Sequence, residues 1–300
     1  MSTWLTIIIP TKDRAEILAE LFESIRHLDG LAQLQPEIIV ADNDSRDETQ
    51  VLLGSIAANF PARMHILKAS RPGKSAAMNE ALRAAQGEYV AFLDDDVIVD
   101  RSWLRAIEAF FRKGNFQAGQ GKIGLRSPQA DDPETQKLIS RYRTIPHLDH
   151  GPDVTEVHSL NGANFFISRG LLNRLGGFDE RLGPGASGTS EDVDVARRLA
   201  RAGSGIGYVR DCIVYHRIDR NRLSDDYFQH IHRCQGLSRL LIKDRSYFQI
   251  LSNLGHAYLQ YFFSLFVGDE RQRYRSMGRI FHYREMAHAK RNGVAQKLGC

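Results

Sequence analysis

The chain is poor in cysteine. Cys212, Cys234 and Cys300 are the only three in 300 residues, too few for a disulfide framework. No Cys-x-x-Cys pair and no Cys/His cluster stands at ligand spacing, which excludes a structural zinc module of the usual kinds. A reducing compartment follows. A secretory signal is lacking too: Trp4–Ile9 is apolar, but no basic residue precedes it and Pro10 halts it. A long hydrophobic run is also missing. The longest stretch without Asp, Glu, Lys or Arg, Ser246–Gly268, is interrupted by Gln249, Ser252, Asn253, His256, Gln260 and Ser264, and does not read as membrane-spanning. There is no Gly-x-Ser-x-Gly elbow and no internal repeat. Gly73-Lys74-Ser75 lacks the earlier glycine of a phosphate loop, whose position holds Lys68. Gly119-Gln-Gly121-Lys-Ile-Gly124 has dinucleotide-fingerprint spacing, but no helix pattern follows it.

What remains is an ordinary globular balance, 42% hydrophobic and 25% charged, with a net charge of +4. That charge is unevenly spread. From Arg217 onward there are 15 Lys/Arg against 7 Asp/Glu, whereas residues 1–216 carry 25 against 29. A basic tail suits an anionic surface or simply a solvated helix face. It lacks a recognition motif for nucleic acid, so no nucleic-acid partner is expected.

The first 125 residues alternate short apolar runs with helical periodicity. Leu5–Ile9, Glu37–Ala41, Met64–Leu67 and Tyr89–Leu93 read as strands. Ala15–His27, Glu48–Asn59 and Ser75–Gln86 read as helices. The alternation predicts an α/β fold with a mostly parallel sheet covered on both faces. Farther on, Ala118–Leu125, Val157–Ile167 and Ile206–Tyr215 read as strands, Ser127–Asp153 as a polar insertion with a short helix, and Glu191–Ala202 as a helix. The segment Gly183–Gly188 reads as a long mobile loop suited to closing over a ligand. Residues 222–290 read as wholly helical.

Ligands of such sheets bind at the carboxyl ends of the strands. Pro10-Thr11 follows the first strand, Asp42-Asn43-Asp44-Ser45 the second, and Asp94-Asp95-Asp96 the fourth. Three adjacent carboxylates repel one another unless a cation or a proton relieves them. Mg²⁺ or Mn²⁺ held by one or two of them, together with substrate phosphates, fits that demand. Asp94 and Asp96 project in related directions and are favoured for substrate and metal, while Asp95 is directed elsewhere. His216 closes the last strand and can complete a metal site as neutral imidazole. Glu191-Asp192 opens a helix behind a glycine-rich loop. A carboxylate there serves as a general base only if burial or acidic neighbours offset the helix dipole, which lowers its pKa.

Taken in order, these residues resemble the family 2 glycosyltransferases, inverting nucleotide-sugar enzymes of GT-A fold. The matching elements are Ile7-Ile8-Ile9-Pro10-Thr11, Val40–Asp47, Gly73-Lys74-Ser75-Ala76-Ala77-Met78-Asn79, Gly87-Glu88-Tyr89 and Phe92–Asp96. The series closes with Gly162-Ala163-Asn164, Gly176–Glu180, Glu191-Asp192 and His216. The resemblance implies that Pro10 and Thr11 line a nucleotide pocket and that Asp42, with Asp44 nearby, reads the base. Lys74 or Arg71 would contact the nucleotide. Asp94 and Asp96 match the DxD motif that holds ribose and metal-bound diphosphate, and Asp95 between them belongs to the same donor run. Asp192 matches the catalytic base, Glu191 its neighbour on the acceptor side, His216 a metal or diphosphate contact, and Arg198 an arginine that commonly follows the acidic pair. Asp44 departs from the small residue many members carry.

The expectation is therefore a metal-dependent glycosyltransferase using Mn²⁺ or Mg²⁺. UDP is the first nucleotide to consider, with dTDP and GDP behind it, and the acceptor is a glycan or lipid-linked hydroxyl of the kind built into surface polysaccharides. A metal-dependent nucleotidyltransferase is the nearest alternative enzyme, although no glycine-rich loop follows the first strand. An inactive glycan-binding relative is the non-enzymatic alternative, although Asp96 and Asp192 are both retained. The domain expectation is a catalytic part at 1–216, divided at residue 100 into nucleotide and acceptor halves, and a helical part at 217–300. The location expected is cytoplasmic, including the inner face of the cell membrane, which the aromatic and basic helices of the tail would touch peripherally.

Overall fold

The computed structural model describes residues 3–126 and 128–293; Cys300 and the rest of 294–300 lie outside the described residues. The elements are, in order, β1 (Leu5–Thr11), α1 (Ala15–Arg26), α2 (Leu31–Leu34), β2 (Glu37–Asp42), α3 (Thr49–Ala58), β3 (Met64–Lys68), α4 (Lys74–Ala84), β4 (Tyr89–Leu93), β5 (Val97–Val99), α5 (Trp103–Lys113) and β6 (Ala118–Leu125). There follow α6 (Pro133–Tyr142), β7 (Glu156–Val157), β8 (Asn164–Ser168), α7 (Arg169–Arg174), α8 (Glu191–Arg201), β9 (Ile206–His216), α9 (Asp225–Ile242), α10 (Tyr247–Val267) and α11 (Glu270–Arg291). Two compact units result. The first comprises Met1–Arg126, Pro146–Glu180 and Glu191–Arg217, the second Ser127–Ile145, Arg181–Ser190 and Ile218–Cys300.

In the first unit the strands form one sheet in the order β3-β2-β1-β4-β8-β6-β9-β5, with β7 on β9. β3, β2, β1 and β4 are parallel, β8 runs antiparallel to both its neighbours, and β9 returns parallel to β6. The alternation within β1 explains why the strand needs cover on both sides. Leu5, Ile7 and Ile9 share a core with Leu18 and Phe22 of α1, Leu53 of α3 and Trp103 of α5. Ile8 shares the opposite core with Met78 and Leu82 of α4, Leu172 of α7, and Val195 and Leu199 of α8. Each of these fully buried side chains contributes about 1.5–3 kcal/mol of hydrophobic stabilisation.

The expected strand at Val157–Ile167 is divided. Only Glu156–Val157 and Asn164–Ser168 are extended, because Asn161–Gly162 turns between them, held by the Asn161 N–H donating to Gln120 Oε1 at 2.7 Å. Four elements were not anticipated: α2, β5, α5 and α7.

The second unit is helical. α10 opens with a capping box, Ser246 with Gln249, and stops at Gly268 in the left-handed region. Asp269 then caps α11 by accepting the Gln272 N–H at 2.9 Å. α11 lies along both α9 and α10; a Cβ on Gly236 would meet the His282 carbonyl oxygen at 2.3 Å, so glycine permits that approach. The glycine-rich segment is ordered within this unit. The Gly188 N–H donates to the Gly183 carbonyl at 2.8 Å, and Ser187 Oγ lies 2.8 Å from Ser238 Oγ of α9. Among the described residues no helix is long and apolar enough to cross a membrane.

Candidate active site

The carboxyl ends of β1, β2 and β4 lie on one edge of the sheet. After β4 the chain passes through Asp94-Asp95-Asp96 straight into β5, whose antiparallel register sets Val97 opposite His216 of β9. The Arg217 N–H donates to the Asp96 carbonyl at 3.0 Å and extends the ladder by one rung. This pairing brings His216 beside Asp96, far away in sequence. His216 Nε2 lies 3.2 Å from Asp96 Oδ1, with the two side chains 1% and 8% exposed. One ligand atom each from Asp94, Asp96 and His216 can be chosen so that all lie within 4.8 Å of one another.

The state of His216 bears on what that cluster can hold. Its Nδ1 is 2.7 Å from the Arg217 carbonyl oxygen. In the neutral ring Nδ1 therefore carries the hydrogen and Nε2 the lone pair. Nε2 is buried and makes no hydrogen bond among the described residues, as expected of a nitrogen kept for a ligand. Two carboxylates and one imidazole form a donor set that fits Mn²⁺ well and Mg²⁺ acceptably.

Asp95 does not join them. It points toward Arg14, whose Nε is 3.7 Å away. Burial, then the Asp96 charge, pushes its carboxyl up to about 7, opposed by Arg14 and the Thr11 hydroxyl.

Lys74 is the first residue of α4. Its Nζ is 2.6 Å from Asp94 Oδ1 and 3.3 Å from Glu191 Oε1. Burial works against the ammonium form, but Asp94, Glu191 and Asp192 outweigh it and raise the pKa above the ordinary lysine value. Asp192 lies in the first turn of α8. The Gly162 N–H donates to its Oδ2 at 2.9 Å, and its own Val193 N–H to Oδ1 at 2.7 Å. Burial and the adjacent Glu191 charge push the Asp192 carboxyl up to about 7, against the pull of Lys74 and the two N–H groups. The offset to the helix dipole that base chemistry requires is thus present, with burial as its largest cause.

The remaining expected residues are placed as follows. Pro10 and Thr11 end β1 and are buried. Asp42 is fully buried; its Oδ1 accepts from the Ser45 N–H at 3.0 Å and its Oδ2 from Gln50 Nε2 at 2.8 Å, so both oxygens anchor the loop after β2. Asp44 is in the left-handed region and pairs with Lys68 at 3.6 Å on the surface. Arg71 Nη2 donates to Glu180 Oε1 at 2.8 Å. Arg198 donates to Asp194 Oδ2 and to the Leu175 carbonyl, both at 2.7 Å, and so ties α8 to the end of α7.

Other residues support the site without having been read as doing so. Asn164 Oδ1 accepts from Trp103 Nε1 at 2.9 Å, while its Nδ2 donates to the carbonyls of Lys122 (2.9 Å) and Cys212 (2.8 Å). Asn79 accepts from the Phe178 N–H at 2.8 Å and donates to the Phe178 carbonyl (2.9 Å) and Glu180 Oε1 (3.0 Å). Gly177, at φ +70°, makes that clasp possible, since a Cβ there would meet Asn79 Oδ1 at 2.6 Å. Both asparagines stand inside the sequence motifs, but no spacing rule foretells which carbonyls they bridge.

The mostly parallel sheet, in which β5, β7 and β8 are reversed, the aspartates at its carboxyl edge and the acidic helix start behind them define a GT-A glycosyltransferase fold. The sequence profile of Glycosyl transferase family 2 matches residues 6–176, and the chain belongs to that family. It is 28% identical over 224 residues to pre-mycofactocin glycosyltransferase of Mycobacterium tuberculosis, covering 70% of this chain and 42% of that one. It is 23% identical over 199 residues to the beta-monoglucosyldiacylglycerol synthase of a Nostoc species, covering 65% and 41%. The chain thus spans about two-fifths of the length of these curated relatives. Among solved structures, the mannosyltransferase PcManGT of Pyrobaculum calidifontis, in complex with GDP-Man and Mn²⁺, superposes with a TM-score of 0.56 at 18% identity. That match covers 97% of this chain and 75% of that one.

Proposed function

We propose that this chain transfers a sugar from a nucleotide-sugar donor to an acceptor hydroxyl with inversion at the anomeric carbon, in a reaction that depends on a divalent cation. One observation carries the reading: Asp94, Asp96 and His216 converge on the sheet edge, and Lys74 links Asp94 to the acidic start of α8 that holds Asp192.

In this reading Asp94, Asp96 and His216 hold Mn²⁺ or Mg²⁺. A bound divalent ion supplies Lewis-acid neutralisation of the charge that develops on a departing diphosphate. Asp192 is the general base. Its carboxylate, positioned by the Gly162 and Val193 N–H groups, takes the proton as the acceptor oxygen bonds to the anomeric carbon and the bond to the diphosphate oxygen breaks. A base pKa near 7 suits a hydroxyl proton at neutral pH. Lys74 balances the charge shared by Asp94, Glu191 and Asp192 and keeps α4 registered on α8. Pro10, Thr11, Asp42, Asp44, Arg71 and Asp95 form the nucleotide side, with Asp42 acting through the loop it anchors. Glu191 borders the acceptor. UDP is the first nucleotide to test, with GDP and dTDP beside it, and a glycan or lipid-linked hydroxyl is the acceptor class, met in the cytoplasm or at the inner face of the membrane.

The test is a thermal-shift and hydrolysis panel of UDP-, GDP- and dTDP-sugars, with Mn²⁺ and after chelation. One nucleotide class should raise the melting temperature with Mn²⁺ alone, by mass action, and release its nucleoside diphosphate. Failure of every donor to bind or react would overturn the proposal, and pyrophosphate as product would favour a nucleotidyltransferase.

A further inference from the structure

The 21 residues of α10 include no Asp, Glu, Lys or Arg. Ile250, Ala257 and Ser264, spaced seven apart, form its buried line. Phe248, Leu251, Leu259, Phe262 and Phe266 recur on the opposite side at spacings of three, four, seven and eight, the repeat of a single helical face. That face is open: Phe248 is 81% exposed, Leu259 70%, Phe262 61% and Phe266 90%, with Phe263 beside them at 66%. At 1.5 Å per residue the stripe runs for about 30 Å. Ser252 and Gly255 interrupt it near its middle, but a monomeric soluble protein rarely leaves so many large apolar side chains on one helix face in water.

The charge around the stripe identifies what covers it. The positive excess of the chain is confined to residues 217–300, while residues 1–216 are net acidic. Lys243 precedes α10, and Arg271 and Arg275 stand an α-helical turn apart just beyond its end, all three exposed. The acids beside them are Asp244, paired with Lys290, Glu270, paired with Arg141 and Arg273, and the cap Asp269. Phenylalanines flanked by exposed cations, on a helix too polar to span, are the composition of a helix that lies in the headgroup plane of an anionic bilayer. A second copy of the chain fits less well. A two-fold contact through this stripe, whether the helices ran parallel or antiparallel, would set exposed cations of one copy against exposed cations of the other. We infer that the exposed face of α10, with Lys243, Arg271 and Arg275, is a docking surface for an anionic lipid bilayer. The inference does not depend on the reading of the catalytic site.

Flotation of the full chain with phosphatidylcholine vesicles, with and without phosphatidylglycerol, tests it. The chain should float with the anionic vesicles at low ionic strength and dissociate as salt is added, because screening removes the electrostatic part. Phe262→Ser combined with Phe266→Ser should lower vesicle partitioning by about tenfold or more. Arg271→Glu with Arg275→Glu should abolish the preference for the anionic lipid. All four side chains lie on the helical unit's surface or its flank, so circular dichroism and donor hydrolysis should match the parent. Hydrolysis that matches while flotation is lost separates the docking surface from the catalytic site. A parent chain that ignores anionic vesicles at low salt would overturn the inference, as would flotation unchanged by the phenylalanine substitutions. A parent that is dimeric by light scattering, does not float, and becomes monomeric on those substitutions would assign the stripe to a second copy instead.

Discussion

Lys74 Nζ lies 2.6 Å from Asp94 Oδ1, and that contact places a lysine where the candidate cation cluster meets the candidate base. Removing the ammonium leaves three carboxylates of one cluster without their shared counter-charge. Lys74→Met should therefore destabilise the fold at pH 8 by about 3 kcal/mol. The deficit should shrink toward pH 5, where Asp192 can take a proton instead. Urea denaturation at the two pH values checks this, and an equal deficit at both would contradict it.

The Asp192 carboxyl, at about 7, has two opposite consequences. As a base it acts without its proton, so the transfer rate should rise with pH through about 7 and level off above. Lys74→Met removes a cation that favours the carboxylate and should move the midpoint to higher pH. A rate that is flat between pH 5 and 9 would count against Asp192 as the base.

Stability moves the other way. With a folded pKa of about 7 against an ordinary 3.8, the native state holds more protons than the unfolded state between those values. Stability from this group thus falls as pH rises across that window. Asp192→Asn keeps an acceptor for the Gly162 N–H without the charge. It should be more stable than the parent above pH 7, by about 1–3 kcal/mol, while losing transfer activity. Thermal melts at pH 5 and pH 8 measure the difference.

Chelation should stop transfer, and added Mn²⁺ should restore it. His216→Ala should weaken Mn²⁺ binding in calorimetry by about tenfold or more, and Asp96→Ala at least as much. Unchanged Mn²⁺ affinity in both variants would remove the assigned cluster.

Asn164 bridges β8 to the Lys122 and Cys212 carbonyls and to Trp103. Asn164→Leu strands these buried groups and should cost about 2–4 kcal/mol, read from the urea midpoint. Trp103→Phe removes one bond only and should cost less.

The sequence made legible whatever local periodicity and strand-end chemistry encode. The strands from Leu5 to Leu93 and helices α1, α3 and α4 lie within two residues of their expected bounds, and the first unit has the fold that the ordered motifs implied. Three-residue β5 was invisible because Val97-Ile98-Val99 is too short for any period to register. Helix α5, by contrast, carries a legible helical repeat in Trp103, Leu104, Ile107, Phe110 and Phe111. The turn at Gly162 was silent, and with it the N–H that holds Asp192. That Asp94 and Asp96 face together while Asp95 points elsewhere was readable from strand alternation, but not that Asp95 turns to Arg14. Lys74 was expected on the nucleotide, whereas its contacts here are carboxylates, a choice made by tertiary packing of α4 and α8 rather than by any spacing.

β5 is only three residues long, yet its ladder with β9 decides which side chain stands beside Asp96. Side chains alternate faces along a strand, so slipping this ladder by a single residue would swap His216 for Tyr215 or Arg217. One inserted residue after Asp96 would then dismantle the candidate cation cluster while all three of its residues were still written in the gene. The shortest strand in the catalytic unit but one is thus the part of the chain least able to absorb a change in length.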